Sequence, residues 1–89
     1  MSDDEYRRLQ QALLARPTHG VLIPGTGGAR KLRWGTQAGG KRGGFRIIYY
    51  WHAARKIFLM LYLYSKTEQG DLTSAQRRAV GTVIKEEFK

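Results

Sequence analysis

Two apolar runs dominate the middle of the chain, Phe45 to His52 and Ile57 to Lys66, and only Ala53-Ala54-Arg55-Lys56 separates them. Both are rich in aromatic and β-branched residues, which fit a pleated, half-buried surface. Four connecting residues are short enough for an antiparallel return. The centre of the chain is thereby committed to a β-hairpin, and the flanking segments must supply what covers it. With 89 residues there is room for one domain, residues 1–89, and one modest core. A chain this short typically buries about 60% of its unfolded surface.

The N-terminal flank reads as a helix. Ser2 and Glu5 form a capping box, and Tyr6, Leu9 and Leu13 recur at helical spacing. The helix runs from about Asp3 to Ala15 and stops at Pro17. Val21-Leu22-Ile23 is a short apolar run, and Pro24-Gly25-Thr26-Gly27-Gly28 is a tight turn. From Ala29 the residues alternate, so Leu32 and Trp34 face one way while Lys31 and Arg33 face the other. The stretch 35–44 is expected to be a flexible glycine-rich loop. Thr73 with Gln76 opens a second helix, whose apolar stripe is Ala79, Val80, Val83, Ile84 and Phe88. The expected class is α+β, an antiparallel sheet flanked by an N-terminal and a C-terminal helix. Helices on one face of that sheet would leave the other partly open.

Charge is concentrated. Of 16 Lys and Arg, nine lie between residues 30 and 66, a stretch with no Asp or Glu, and the formal net charge is +9. Such a block either repels itself or faces a dense polyanion, of which phosphate backbones are the commonest. Lys31 and Arg33 share one strand face. An antiparallel hairpin brings Arg46 close to Lys66, so a concave cationic site is expected.

Other chemistries fare less well. Cysteine is absent, which removes disulfides, thiolate metal sites and cysteine nucleophiles and fits a reducing compartment. His19 and His52 stand alone and read as structural. Gly35-x-x-x-x-Gly40-Lys41 matches most of a nucleotide-binding loop. However, Arg42 replaces the magnesium-binding hydroxyl, and Gly43-Gly44 leads into a strand where a helix is needed. The N-terminus is acidic where an export signal would be basic, and the run Ile57 to Tyr64 is too short to span a membrane. A cytoplasmic protein is expected. Of the aromatics, Tyr64 is the one expected to stack on a base, whereas Trp34 is expected to pack.

The order of elements and three strings resemble the RelE/HigB superfamily of bacterial type II toxin–antitoxin toxins. They are Gly25-Thr26-Gly27-Gly28-Ala29-Arg30-Lys31-Leu32-Arg33, then Gly40-Lys41-Arg42-Gly43-Gly44-Phe45-Arg46-Ile47-Ile48-Tyr49-Tyr50, and Tyr64-Ser65-Lys66-Thr67-Glu68 with Asp71-Leu72-Thr73 and Gln76. The resemblance implies a small RelE-like fold and ribosome-dependent endonucleolytic cleavage of messenger RNA in the A site, with translation inhibition and growth arrest. No metal or other cofactor is implied. It makes Arg33 and Arg46 phosphate clamps and Lys31 and Lys66 proton-handling or transition-state residues. Glu68 becomes a base or an orienter of the cations. Arg30, Lys41, Arg42 and Tyr64 would hold RNA.

The implied partners are a cognate antitoxin with acidic residues, the ribosome with its messenger, and operator DNA only as a toxin–antitoxin complex. Two departures stand out. Relatives place a Tyr or His shortly after the last strand, whereas 67–73 contains neither, so the general base is open. Relatives also begin with a further strand and helix, whose absence here is expected to expose a hydrophobic sheet edge. Two alternatives follow: a gyrase inhibitor of the ParE branch, or a non-catalytic form that binds antitoxin or nucleic acid.

Overall fold

The computed structural model describes residues 2–36, 40–65 and 67–88, without the side chains of 36 and 40–43. The class is α+β. A helix α1 (Asp3–Ala15) precedes four strands, β1 (Val21–Leu22), β2 (Arg30–Thr36), β3 (Gly40–His52) and β4 (Ile57–Ser65), and a helix α2 (Ser74–Glu87) closes the chain. The strands form one antiparallel sheet in sequence order, β1-β2-β3-β4.

Local chemistry sets the ends of both helices. Ser2 caps α1, its hydroxyl accepting from the Glu5 backbone N–H at 3.2 Å, and three acids occupy the first turn where the helix dipole favours them. Thr73 caps α2 through a full capping box: Gln76 N–H donates to Thr73 Oγ1, and Thr73 N–H donates to Gln76 Oε1. The turn before β2 is closed from inside. Thr26, fully buried, donates its hydroxyl to Ile23 O at 2.7 Å and accepts from Ala29 N–H at 3.0 Å. Gly25 and Gly27 there hold φ of 79° and 77°, a region that disfavours any residue with a Cβ.

The helices lie on opposite faces of the sheet, not on one as the sequence suggested. The alternation of β3 decides this. Ile47 and Tyr49 point toward α1 and form a core with Leu9, Leu13 and Leu32. Ile48, between them, points the other way and packs with Tyr64, Leu72, Val80 and Ile84 on the α2 side. Both faces of the central strand are apolar, so each needs its own cover.

The expected loop over 35–44 is also shorter than the sequence suggested. β2 continues to Thr36 and β3 begins at Gly40, with Thr36 paired to Gly40. A register shift between Trp34 and Thr36 accommodates the glycines, which weaken strands but do not forbid them. Residues 37–39 of that stretch lie outside the described part. The second long strand, expected from Ile57 to Lys66, is described from Ile57 to Ser65.

Candidate anion-binding site

The site grows from strand register. Arg33 on β2 pairs with Arg46 on β3, and Arg46 pairs with Tyr64 on β4, so the three side chains stand in one row across the α2 face. Directly opposed residues in such a sheet have Cβ atoms about 5 Å apart, and like charges so placed destabilise. Among the described residues no carboxylate pairs with either arginine, an arrangement suited to an anion from outside the chain. Lys31 stands on the same face two residues along β2, opposite Ile48.

The loop entering α2 adds the acid. Asp71 Oδ1 accepts from Lys31 Nζ at 3.3 Å and from the Leu72 backbone N–H at 2.8 Å. This is the one ion pair among the described residues, with the two side chains 31% and 52% exposed. The Leu72 N–H is the main cause that holds the Asp71 carboxyl below its ordinary range; burial opposes it, and the hydrogen bond and charge of Lys31 and the charge of Arg77 add smaller lowering effects. Asp71 is therefore an ionised orienter of Lys31 and a weak proton acceptor at neutral pH.

Tyr64 sits under this cluster. It is 6% exposed, and its hydroxyl finds no hydrogen-bond partner among the described residues. Burial and then the nearby Asp71 charge push its pKa up, while Arg46 pulls it back. The hydroxyl thus keeps its proton and is available as a donor. Arg77, in the first turns of α2, likewise has a buried Nε without a partner among the described residues. Fixed cations and a proton-bearing hydroxyl on one face can take up negative charge on a phosphate, and more so as that charge grows.

Several expected site residues fall elsewhere. Arg30 points away from Lys31 and Arg33, because alternation reverses each residue along β2. Its Nη1 is spent on Gly20 O at 2.8 Å and Thr18 O at 3.3 Å, tying down the segment before β1. The Tyr64 ring is buried in the α2-side core, so it cannot stack on a base. Glu68 is turned back on the end of β4, accepting from Ser65 N–H at 3.2 Å and donating its own N–H to Ser65 Oγ at 3.3 Å. The acid beside the cations is Asp71 instead. Trp34 packs on the α1 side, as expected. Lys66 and the side chains of Lys41 and Arg42 lie outside the described residues.

The sequence reading missed Asp71 and Arg77 as site residues. Asp71 follows the hairpin by a few residues, yet what gives it a role is contact with Lys31, 40 positions earlier, of which its neighbours in the chain carry no signal. His52 has a structural role: its Nδ1 accepts from Arg55 N–H at 3.1 Å, and its ring stacks on Phe88 at 4.7 Å.

Among the described residues no helix is long and apolar enough to cross a membrane, and no group of three or more His, Asp or Glu is placed to hold a metal ion. Compared with models of known protein families, the chain matches none.

Proposed function

We propose that this protein is the toxin of a RelE/HigB-like type II toxin–antitoxin pair and cleaves messenger RNA in the ribosomal A site. The observation that carries the reading is the Arg33–Arg46–Tyr64 row, two opposed arginines and an unpartnered buried hydroxyl on one sheet face. In the reaction the 2′-oxygen of a ribose bonds to the adjacent phosphorus as its proton leaves to a base. The bond from phosphorus to the 5′-oxygen breaks, and that oxygen takes up a proton. The products are a 2′,3′-cyclic phosphate and a 5′-hydroxyl. The phosphate gains charge on the way, and Arg33 and Arg46 are suited to receive it, with Tyr64 donating to a non-bridging oxygen.

Lys31, oriented by Asp71, and Lys66 are the candidate proton carriers. Arg77 stands ready as a further phosphate ligand. Lys41 and Arg42 are proposed RNA contacts outside the catalytic row. The ribosome would supply the missing positioning of the ribose, and an acidic antitoxin would neutralise the site, the pair binding operator DNA together. The proposed compartment is the cytoplasm.

A second reading is favoured by one contact and one lowered pKa: Glu68 is engaged with Ser65, and Asp71 is a weakened base. On this reading the protein binds RNA or an antitoxin without cutting. The deciding experiment is primer extension on a messenger incubated with the purified protein, with and without translating ribosomes. A-site cuts only with ribosomes are expected. Intact transcripts with programmed ribosomes would favour the binding reading. Intact transcripts with lost DNA supercoiling would favour a gyrase-directed toxin.

A further inference from the structure

Asp71 leaves one oxygen unused. Its Oδ1 takes both protein donors, Lys31 Nζ at 3.3 Å and the Leu72 N–H at 2.8 Å, and Oδ2 accepts no hydrogen bond among the described residues. The side chain is 52% exposed and reaches Lys31 on the face that carries Arg33 and Arg46.

The loop holds that oxygen in place. Gln69 Nε2 donates to Asp71 O at 2.9 Å and to Gln76 Oε1 at 2.9 Å, and Gln76 Oε1 also accepts from the Thr73 N–H at 2.9 Å. The segment between β4 and α2 is thereby tied to the helix cap, with the main-chain oxygen and Oδ1 of Asp71 both anchored. A carboxylate so fixed presents its remaining oxygen with little freedom.

Its surroundings say what that oxygen can receive. Lys31 stands two residues from Arg33 on the same strand face, about 7 Å away. The Tyr64 hydroxyl feels the charges of both Asp71 and Arg46, so both lie near it. Asp71 is therefore a close neighbour of any phosphate received by Arg33 and Arg46. An ionised carboxylate only accepts hydrogen bonds, and it repels a phosphate. That repulsion is offset when the same ligand brings a donor to Oδ2. In a ribonucleotide the donor nearest the phosphate is the 2′-hydroxyl, which DNA lacks.

We propose that Asp71 Oδ2 accepts the 2′-hydroxyl of a ribose whose adjacent phosphate lies on Arg33 and Arg46, so that Asp71 is the residue by which this site selects RNA over DNA. The inference rests on the reading of the arginine row as an RNA phosphate site, and it holds whether or not the protein cuts. Gln69 is then a positioning residue, acting through the Asp71 main chain.

The test uses the full chain and three single-stranded oligonucleotides of one sequence that differ only at the sugar. One carries the 2′-hydroxyl, one is 2′-deoxy, and one is 2′-fluoro, which keeps an RNA-like sugar without the donor. Affinity is read by fluorescence anisotropy at about 0.15 M salt, where exposed charges more than about 8 Å apart are largely screened. The 2′-hydroxyl form is expected to bind at least about tenfold tighter than either other form, the usual yield of a hydrogen bond to a charged group.

Asp71→Asn should bring the three affinities close together, chiefly by raising that of the deoxy form, which no longer meets a negative charge. Gln69→Ala changes no charge and should lower the preference without that gain. Lys85→Ala removes a cation from the last turn of α2 and should leave the preference intact. Equal binding of the 2′-hydroxyl and 2′-fluoro forms would overturn the proposal, as would a preference that survives Asp71→Asn. An Asp71→Asn effect of equal size on those two forms would assign the carboxylate to a base amino group instead. Primer extension separates this inference from the toxin reading. A-site cuts by a protein that binds the two forms equally would refute the inference alone, whereas an Asp71-dependent preference with intact transcripts would refute the toxin reading alone.

Discussion

Replacing Tyr64 by Phe removes one oxygen, and the structure assigns that loss opposite consequences for stability and for activity. The Tyr64 hydroxyl is buried without a protein partner among the described residues, and an unsatisfied buried polar group costs about 1–3 kcal/mol. Tyr64→Phe should therefore leave stability unchanged or raise it by up to about 2 kcal/mol, each kcal/mol moving Tm by about 4–8 °C in a domain of this size. Tyr49 supplies the control. It too is fully buried, but its hydroxyl accepts from Gly20 N–H at 2.8 Å and donates to Pro17 O at 2.8 Å. Tyr49→Phe strands both groups and should cost about 1–3 kcal/mol.

The same chemical change at two buried tyrosines thus carries opposite signs, and urea titration with matched m-values measures the gap. In ribosome-dependent cleavage the order inverts. Tyr64→Phe should slow the reaction by about 10²–10³, the usual loss for one donor to a developing oxyanion. Tyr49→Phe should cut at the normal rate wherever it remains folded. If Tyr64→Phe were as destabilising as Tyr49→Phe, its hydroxyl would have a structural partner and the site would be misread. If it were stable and cut normally, the hydroxyl would have no part in the reaction.

Arg33→Ala or Arg46→Ala should relieve growth arrest without loss of stability, since removing one of two opposed cations recovers about 0.2–1 kcal/mol. Each should also lower the slope of log affinity for RNA against log salt by about 1. Full toxicity in both well-expressed variants would refute the site. Asp71 has a lowered pKa, so its contribution to stability is complete at neutral pH and lost as pH falls below about 4, through the folded-state value. Asp71→Asn should flatten that part of the stability profile, by less than about 1 kcal/mol because the pair is half exposed. Gly20→Ala should destabilise by about 1–3 kcal/mol on thermal melting. Its Cβ would lie 2.9 Å from Tyr49 Cε1 and 3.0 Å from Lys31 O.

Much of the architecture was legible residue by residue. Ser2 with Glu5 and Thr73 with Gln76 marked both helix starts, because capping is a contact between residues three apart. The hairpin was legible because alternation and a four-residue turn are local as well. Alternation also placed Lys31 and Arg33 on one face, and the basic cluster pointed to an anionic partner.

The faces of the sheet were another matter. Which helix covers which side depends on how α1 and α2 distribute over Ile47, Ile48 and Tyr49, and periodicity in a helix does not say which side of a distant strand it meets. Glu68 and Asp71 show the same limit within one short segment. Both are acids following the last strand and only Glu68 was expected in the site, yet Glu68 turns back onto Ser65 while Asp71 reaches Lys31 across 40 positions. Tyr64 was expected to offer its ring to a base, but the ring is part of the α2-side core, and its buried hydroxyl lies near Arg46 and Asp71. Composition and short-range spacing determined the elements, the hairpin and the cationic stretch, since those arise from neighbours in the chain. Only tertiary packing decided which charged and hydroxyl groups share a surface and which are buried or spent elsewhere, since that depends on contacts between residues far apart in the chain.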